Sequence, residues 1–549
     1  MKTTFKHDHY FLYNEVKEMI EYFEKNYPEI VSSEVLYTTP KGRNLYAVTI
    51  SKGDPSTKPA YHIDANTHAG EVTGTQAAMH TLDYLVTNYG EDKEVTKLVD
   101  DYTIYIVPRI SPDGSEAYLT SCAKLRSVDR PYLTEKQDKG LYNADIDEDG
   151  VLRQIRIPTP YGAWKVNPDN PNTMLRRKPD ETEGEFYNIY PEGLIEDYDG
   201  VHFDPAKPLW GLDFNRNYPF GWYSEVRQPG AGRYPLSNGE NKAMADWITD
   251  HKNIGGVMTH HTNGGMLLVV PGTRPEKTIS KLDQKTLHEM ADMCTEEMGY
   301  PVVPIFTDFF EDNTEYSSGA FDDFCYQQHG IPAYTMEFWN MREKAGVKTD
   351  WPPKKKSDQE RAADYQKLID WIMENSPESF KPWTPFNHPQ LGEIEIGGID
   401  MKFTLQNPPV QFLQKEVENC TRFMIRMIKA LPMLVIDETE VEHLSGNAYR
   451  VNVVVANKGY LPTYLTTETK KLAIEDTVKV TLEDQVVDLG SLEGFSGVAT
   501  DYFYDESINT FAYPPIRKKA SFIVVTDEPK VTVTASCAKA GTVTMDIEL

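Results

Sequence analysis

Two short segments far apart in the chain carry side chains that suit a catalytic zinc ion. In His68-Ala-Gly-Glu71 the histidine and glutamate lie three residues apart at the start of a predicted helix, so both can reach one point in space. The segment Gly256-Val-Met-Thr-His-His261 adds two histidines at the end of a predicted strand. Two imidazoles and one carboxylate would leave a fourth tetrahedral position open for water, which is typical of catalytic zinc sites. An HxxE pair taken alone is more often a coincidence on a helix face.

Two further segments offer chemistry that such a site could use. Ile331-Pro-Ala-Tyr-Thr-Met-Glu337-Phe338 is an apolar strand with a single glutamate. This glutamate either lies at the strand edge or has a functional role. Burial raises the pKa of a carboxyl group, which suits the group to proton transfer. In Leu212-Asp-Phe-Asn-Arg-Asn-Tyr218 an arginine and two asparagines lie between aromatic residues. An arginine fork can bind a carboxylate through two hydrogen bonds, although a surface arginine in a polar loop is the plainer interpretation.

The surrounding pattern predicts the elements that must position these residues. Apolar residues recur at helical spacing from Tyr13 to about Asn26, and apolar strands are predicted at 60–65, 102–108 and 255–260. Alternating helices and apolar strands favour an α/β domain with a mixed, mostly parallel sheet covered by helices. Ligands of such sheets gather at the carboxyl ends of the strands, which is where His68 follows its strand.

Changes in composition divide the chain. We predict a catalytic domain over residues 1–385, with an insertion at about 115–210 that is rich in Asp, Glu, Pro, Asn and Gly. Residues 386–433 are predicted to be a connecting strand pair and helix. Alternating apolar segments separated by turns then predict an all-β sandwich over 434–549, through which the protein could form oligomers.

The composition and charge of the chain favour some classes of partner and some cellular compartments over others. The net charge of −28, from 56 basic and 84 acidic residues, argues against nucleic acid or anionic membranes as partners. No apolar run approaches the roughly 20 residues of a membrane-spanning helix. The first residues, which keep Met1, show no secretory signal pattern, and the five scattered cysteines form no metal or disulfide pattern. We therefore expect a cytoplasmic protein with reduced cysteines.

Several motifs in a fixed order resemble those of the zinc metallocarboxypeptidases of the carboxypeptidase A type. The resemblance extends from about Tyr10 to Trp371 and includes the HxxE pair, the histidine strand and the glutamate strand. The remaining motifs are Pro28-Glu-Ile-Val31, Lys41-Gly-Arg43, Ser111-Pro-Asp-Gly114 and Asp213-Phe-Asn-Arg216-Asn217.

The resemblance implies a zinc site. His68, Glu71 and one of the two adjacent histidines would be the ligands, and His261 is preferred over His260 because the residues after it then align without a gap. Asp213 matches the carboxylate that orients the first ligand histidine, a role with a clear physical basis.

The same resemblance implies how a substrate is bound and cleaved. Asn215 and Arg216 would bind the terminal carboxylate of a peptide, and Tyr316 is the nearest candidate for the tyrosine that covers the substrate. Arg177 falls where the family places the arginine that stabilises the oxyanion. Glu337 would be the general base and acid.

A separate motif in the insertion resembles a calcium loop. Asp145, Asp147 and Asp149 occupy positions 1, 3 and 5, and Gly150 occupies position 6. Position 12 is Arg156, so the bidentate glutamate of an EF-hand is missing. The alternatives are a bound Ca²⁺ and a solvated acidic turn.

Taken together, these residues predict a zinc-dependent peptidase that removes C-terminal residues from peptides with a free carboxylate. Two alternatives stay open. One is a hydrolase of unusual amides, such as γ-glutamyl peptides of the cell wall, for which the insertion would reshape the site. The other is a catalytically inactive binding protein whose β-domain recognises a partner.

Overall fold

The computed structural model describes residues 1–123, 125–132, 139–206, 211–309, 316–352, 354–497, 504–505, 510–511 and 515–549. The α-helices are α1 (Tyr13–Asn26), α2 (Thr73–Asn88), α3 (Lys93–Asp101), α4 (Pro112–Thr120), α5 (Gly239–Asp250), α6 (Lys281–Met298), α7 (Phe321–Asp323), α8 (Met341–Lys344), α9 (Asp358–Asn375), α10 (Val410–Lys429) and α11 (Thr467–Leu472). The strands of the first half are β1 (Val31–Thr38), β2 (Asn44–Ile50), β3 (Ala60–Ala65), β4 (Thr103–Val107), β5 (Gly140–Asn143), β6 (Gln154–Pro158), β7 (Trp164–Asn167), β8 (Asn170–Arg176), β9 (Tyr187–Pro191), β10 (Gly193–Glu196), β11 (Ile254–Thr262) and β12 (Met266–Val269). The remaining strands are β13 (Val302–Pro304), β14 (Ala333–Phe338), β15 (Phe380–His388), β16 (Gly392–Ile399), β17 (Leu434–Ser445), β18 (Ala448–Asn457), β19 (Lys479–Leu482), β20 (Gln485–Asp488), β21 (Tyr504–Asp505), β22 (Thr510–Phe511), β23 (Arg517–Val525), β24 (Lys530–Cys537) and β25 (Gly541–Glu548).

An eight-stranded sheet in the order β1-β2-β4-β3-β11-β14-β12-β13 forms the centre of the molecule. Its middle strands β4, β3, β11 and β14 are parallel, while β1 and β2 at one edge and the β12–β14 pair are antiparallel. Every residue of β3 and β11 is buried, as expected for strands that are covered on both faces. The predicted α/β class with a mixed, mostly parallel sheet is confirmed.

The parallel strands bring the predicted site residues to one edge of this sheet. β3 ends at Ala65, just before His68, while β11 and β14 end at Thr262 and Phe338. Because these three strands run in the same direction side by side, their carboxyl ends lie together.

A second sheet joins two regions that the sequence suggests are separate. Its strand order is β15-β16-β6-β9-β7-β8, so strands of the insertion pair with the strand pair that was predicted to be a connector, through β6 and β16. The predicted boundary after residue 385 falls inside β15. Hydrogen-bonding groups of edge strands are satisfied by pairing, and here each region supplies the partner of the other.

The C-terminal region is built from antiparallel sheets. The sheets β17-β18-β23 and β20-β19-β24-β25 share one core of buried side chains that is separate from the main core, as predicted for an all-β region. It contacts the N-terminal α/β region at the amino end of β11, where Lys539 Nζ donates to Ile254 O at 2.7 Å. A second contact joins Thr467 N to Asp283 Oδ1 at 2.9 Å. Both contacts lie away from the carboxyl edge that carries the predicted site.

The helix α10 packs against α2 and α6 and links the second sheet to the C-terminal region. His80 on α2 and Thr421 on α10 form a buried hydrogen bond at 2.7 Å through His80 Nδ1. Among the described residues, no helix combines the length and apolar character needed to cross a membrane.

The buried His80 predicts a pH dependence of stability. Burial lowers the pKa of His80 to about 3; the neighbouring His7 lowers it further, and the charges of Glu418 and Asp83 oppose the shift. The unfolded chain takes up this proton near pH 6.5 and the folded chain does not, so stability is complete above pH 6.5 and falls as the pH drops toward 3. His80→Gln should remove this part of the acid sensitivity, at most about 1.4 kcal/mol per pH unit.

Thermal melting of the wild type and the His80→Gln variant at pH 7, 6 and 5 checks this expectation. The variant should melt lower at pH 7, where it loses packing, and the gap should close as the pH falls. A gap that stays constant from pH 7 to pH 5 would contradict the assignment.

Candidate metal centre and active site

The predicted metal ligands lie together at the carboxyl edge of the main sheet. His68, Glu71 and His261 are buried, and each offers a ligand atom within 4.8 Å of the others. Glu71 Oε1 is 2.9 Å from His68 Nδ1, and Glu71 Oε2 is 2.7 Å from His261 Nδ1. The two Nδ1 atoms are 3.2 Å apart. Two nitrogens and a carboxylate that converge in this way fit the donor set of a catalytic zinc ion.

Neighbouring residues set the orientation of the first histidine. His68 Nε2 donates to Asp213 Oδ1 at 3.1 Å, so its Nδ1 carries the lone pair that a metal requires. Asp213 precedes the 3₁₀ turn Phe214–Arg216 and also accepts from Asn215 N at 2.8 Å. The predicted role of Asp213 thus matches its position in the structure.

Strand geometry separates the two adjacent histidines. His261 pairs in register with Glu337 of β14, whereas His260 pairs with Ala65 of β3. Successive strand residues point to opposite faces, and His260 lies on the side of α10, 3.6 Å from Cys420 Sγ. The structure therefore brings His261, and not His260, into the ligand cluster.

Electrostatics keeps the cluster ready for a cation. Burial alone would raise the pKa of Glu71, but the neighbouring His68 and His261 rings hold that pKa below its ordinary value. Burial likewise opposes the charged form of His261, and the Glu71 carboxylate raises its pKa above the ordinary value. Glu71 is thus ionised and available as a metal ligand.

Glu337 lies beside this cluster with a very different character. Burial raises its pKa well above the ordinary value, the charge of Glu71 raises it further, and His68 and Arg126 oppose the shift. Its Oε2 atom is buried without a hydrogen-bond partner among the described residues. A carboxyl with a raised pKa next to a metal cluster is suited to accept and return a proton.

Arg126 is a site residue that the sequence analysis missed. Its Nε donates to Asp213 Oδ2 at 2.9 Å, and its Nη1 is 3.7 Å from Glu71 Oε1. Burial disfavours its charge, but Asp213 and Glu71 raise the pKa of the guanidinium above its ordinary value. The signal available in the sequence was its place shortly after Ser111-Pro-Asp-Gly114, in the first part of the insertion.

Arg177, predicted to stabilise the oxyanion, makes its contacts in the insertion and not with the ligand cluster. Its guanidinium donates to Glu181 O at 2.6 Å and Pro160 O at 2.9 Å, and it covers the ring of Phe186 at 3.7 Å. All of these partners belong to the insertion, where backbone carbonyls accept hydrogen bonds from Nε and Nη1 of Arg177. Arg126 occupies the site instead.

The predicted substrate-binding residues lie along one side of the cluster. Asn215 Oδ1 accepts from Phe321 N at 2.8 Å, which ties the start of α7 to the 3₁₀ turn. Arg216 is half-buried, donates to Asn215 O at 2.7 Å and carries a charge close enough to lower the pKa of Asp213. Tyr316 stacks on Tyr223 with ring centroids 5.1 Å apart and makes no contact with the ligand cluster among the described residues.

The protein supplies part of the counter-charge of the acidic turn in the insertion. Asp145 accepts from the backbone N–H groups of Asp149 and Gly150 at 3.2 and 2.8 Å. The ammonium of Lys381 contacts both Asp147 and Asp149, although these carboxylates lie close enough together to hold a cation. The prediction of Ca²⁺ is not supported by the family described below, and Lys381 takes the place of a cation beside Asp147 and Asp149.

Comparison with known proteins places the chain in a family. Residues 16–364 match the zinc carboxypeptidase family, and residues 433–548 match a domain of unknown function. The chain therefore belongs to the zinc carboxypeptidase family, which implies Zn²⁺ as the metal.

Individual relatives match over shorter regions. Carboxypeptidase M of Mus musculus is 33% identical over 96 residues, which cover 17% of this chain and 22% of that protein. The inactive metallocarboxypeptidase ECM14 of Saccharomyces cerevisiae is 27% identical over 209 residues, which cover 34% of this chain and 46% of that protein. The solved structure of thrombin-activatable fibrinolysis inhibitor has 16% identity and a TM-score of 0.46, with 77% of this chain and 74% of that chain covered. The chain thus spans less than half the length of the two curated relatives.

The ligand geometry predicts a single zinc ion whose retention depends on His261. The His261→Ala variant should lose the metal, because it removes one of three donors, whereas His260→Gln should retain it, since His260 faces α10. Elemental analysis after dialysis measures the stoichiometry, expected near 1:1 in the wild type. Loss of zinc from the His260 variant alone would move the third ligand to His260.

Proposed function

We propose that the protein is an active zinc carboxypeptidase that removes single residues from the C-terminus of peptides. The observation that carries this proposal is the pairing of His261 with Glu337 in adjacent parallel strands. Glu337, whose pKa is raised by burial and by the charge of Glu71, would thus be the proton acceptor beside the three residues that would hold zinc.

The residues of the chain divide the work of amide hydrolysis. His68, Glu71 and His261 would hold the zinc ion, which when bound polarises a carbonyl group and lowers the pKa of a water molecule. Glu337 removes a proton from the attacking water and delivers it to the leaving amine. Its unpartnered Oε2 is free to make these transfers.

Two arginines serve different negative charges. Arg126, held by Asp213 and Glu71, lies next to the reacting centre and stabilises the oxyanion of the tetrahedral intermediate. Arg216 is further along the 3₁₀ turn and binds the free carboxylate of the substrate, with Asn215 beside it. A guanidinium that binds the terminal carboxylate restricts cleavage to the last peptide bond.

The complete ligand set and the retained Glu337 support catalysis over the alternative of an inactive binding protein. This point matters because one of the relatives is named as inactive. No contact in the described residues favours the alternative of γ-glutamyl substrates.

Replacing Glu337 by glutamine tests the proposal most simply. Glu337→Gln should retain zinc but lose roughly 10²–10⁴-fold in kcat, because the amide cannot accept a proton. Release of the C-terminal residue from a synthetic peptide, followed by mass spectrometry, measures the rate. Glu416→Gln is the matched control, because Glu416 is a buried glutamate that bonds to Tyr300 OH at 2.5 Å outside the ligand cluster.

The Glu416 control should cut at nearly the wild-type rate. If Glu337→Gln cuts as fast as the control while retaining zinc, Glu337 is not the proton acceptor and the proposed mechanism fails.

The two candidate oxyanion residues are distinguished by a pair of variants. Arg126→Ala should lower kcat by roughly 10²–10³-fold, the usual effect of removing one donor to an oxyanion, with zinc content unchanged. Arg177→Ala should stay within a few-fold of wild type, because the contacts of Arg177 lie in the insertion. Steady-state kinetics on the same peptide measures kcat for both variants. A large loss in Arg177→Ala and a small loss in Arg126→Ala would identify Arg177 as the residue that stabilises the oxyanion.

A further inference from the structure

A short segment outside the matched family region reaches the candidate active site. We call it the strap and define it as residues 401–407. It follows β16, forms an irregular helical turn over Met401–Gln406 and leads into α10. The strap lies between the region that matches zinc carboxypeptidases, which ends at residue 364, and the second matched region, which starts at residue 433.

The strap binds the strand ends that carry His261 and Glu337. Asn263, two residues after His261, donates from Nδ2 to Leu405 O at 3.0 Å. Trp339, two residues after Glu337, donates from its buried indole Nε1 to Thr404 O at 2.7 Å. Consecutive backbone carbonyls of the strap thus hold the ends of β11 and β14.

The last strap residue binds the third functional segment, the HxxE loop. Asn407 Oδ1 accepts from Thr73 N at 3.2 Å and from Thr73 Oγ1 at 2.9 Å. Asn407 Nδ2 donates to Gly70 O at 2.8 Å. Gly70 and Thr73 flank Glu71 on either side, and both Asn407 and Thr73 are fully buried. The side-chain amide of Asn407 therefore fixes the backbone on both sides of a predicted metal ligand.

The strap and the HxxE loop approach each other closely at Gly70. A Cβ atom at position 70 would lie 2.8 Å from both Gln406 Nε2 and Tyr118 Cε2. Tyr118 also donates to Gln406 Oε1 at 3.1 Å, which packs the strap against α4. A side chain at position 70 would therefore displace Gln406 of the strap and the ring of Tyr118.

We propose that the strap is a positioning element of the metal centre, with Asn407 its principal residue. Four residues that hydrogen-bond to the strap lie within two residues of a predicted zinc ligand or of Glu337, so the strap links three chain segments of the site. They are Asn263, Trp339, Gly70 and Thr73. Groups that orient metal ligands through hydrogen bonds typically change metal affinity 10–100-fold when they are removed. This inference rests on the proposed function, because it assumes that the site binds zinc. Its test measures zinc affinity and not the rate of peptide cleavage.

Asn407→Ala is the main test, and Asn457→Ala is its matched control. Asn457 is likewise buried and bridges backbone groups, accepting from Met433 N and Gly459 N at 2.9 Å and donating to Leu461 O at 2.8 Å, but it lies in the C-terminal region. Zinc affinity is measured in the full-length protein by competition with a colorimetric chelator, alongside the melting temperature. Asn407→Ala should weaken zinc binding by about 10-fold or more, and Asn457→Ala should lower the melting temperature without changing zinc affinity.

A second pair of variants keeps the test decisive if Asn407→Ala fails to fold. Thr73→Val removes the hydroxyl that donates to Asn407 and should weaken zinc binding, whereas Thr73→Ser keeps that hydroxyl and should bind zinc like the wild type. The inference is overturned if Asn407→Ala and Thr73→Val hold zinc as tightly as the Asn457 control. If the wild type itself binds no zinc, the proposed function fails with it, and that outcome is distinct from unchanged affinity in the variants.

Discussion

The contact of the Glu71 carboxylate with two buried imidazoles is the interaction on which the rest of the site depends. Each oxygen of Glu71 approaches one Nδ1 atom, and a buried carboxylate is tolerated only when such partners stabilise its charge. The parallel order of β3, β11 and β14 makes the contact possible, because it brings residues far apart in the chain to one edge. Asp213 then selects the tautomer of His68, and Arg126 balances the negative charge of both carboxylates.

Much of the site could be predicted from local sequence. The spacing of His68 and Glu71 and the apolar strand around Glu337 are features of single segments, and the structure places these residues together. The choice of His261 over His260 followed from alignment, and it agrees with the alternation of side chains along β11. The sandwich and the central sheet were likewise visible as periodic patterns, since the period of apolar residues reflects which face of an element is buried.

What the sequence did not reveal depends on contacts between distant segments. Arg177 was assigned by position, yet its Nε and Nη1 donate to carbonyl groups of the insertion. Arg126, in the first part of the insertion, lies beside Glu71 and Asp213 instead. Two further contacts join residues far apart in the chain: the pairing of β6 with β16 and the hydrogen bond from Asn407 to Gly70. Local sequence patterns do not predict such contacts. The calcium-like turn has the spacing of a metal loop, but Lys381 from β15 supplies its counter-charge.

The proposed carboxypeptidase activity is tested most directly with two peptides that differ only at the C-terminus. One has a free carboxylate and the other is amidated. We expect the zinc-loaded protein to remove the last residue of the free acid with a kcat/KM roughly 100-fold or more above that for the amide. The reason is that Arg216 loses its charged partner in the amidated peptide. Equal rates for the two peptides, or cleavage at an internal bond, would contradict the claim that this protein is a carboxypeptidase.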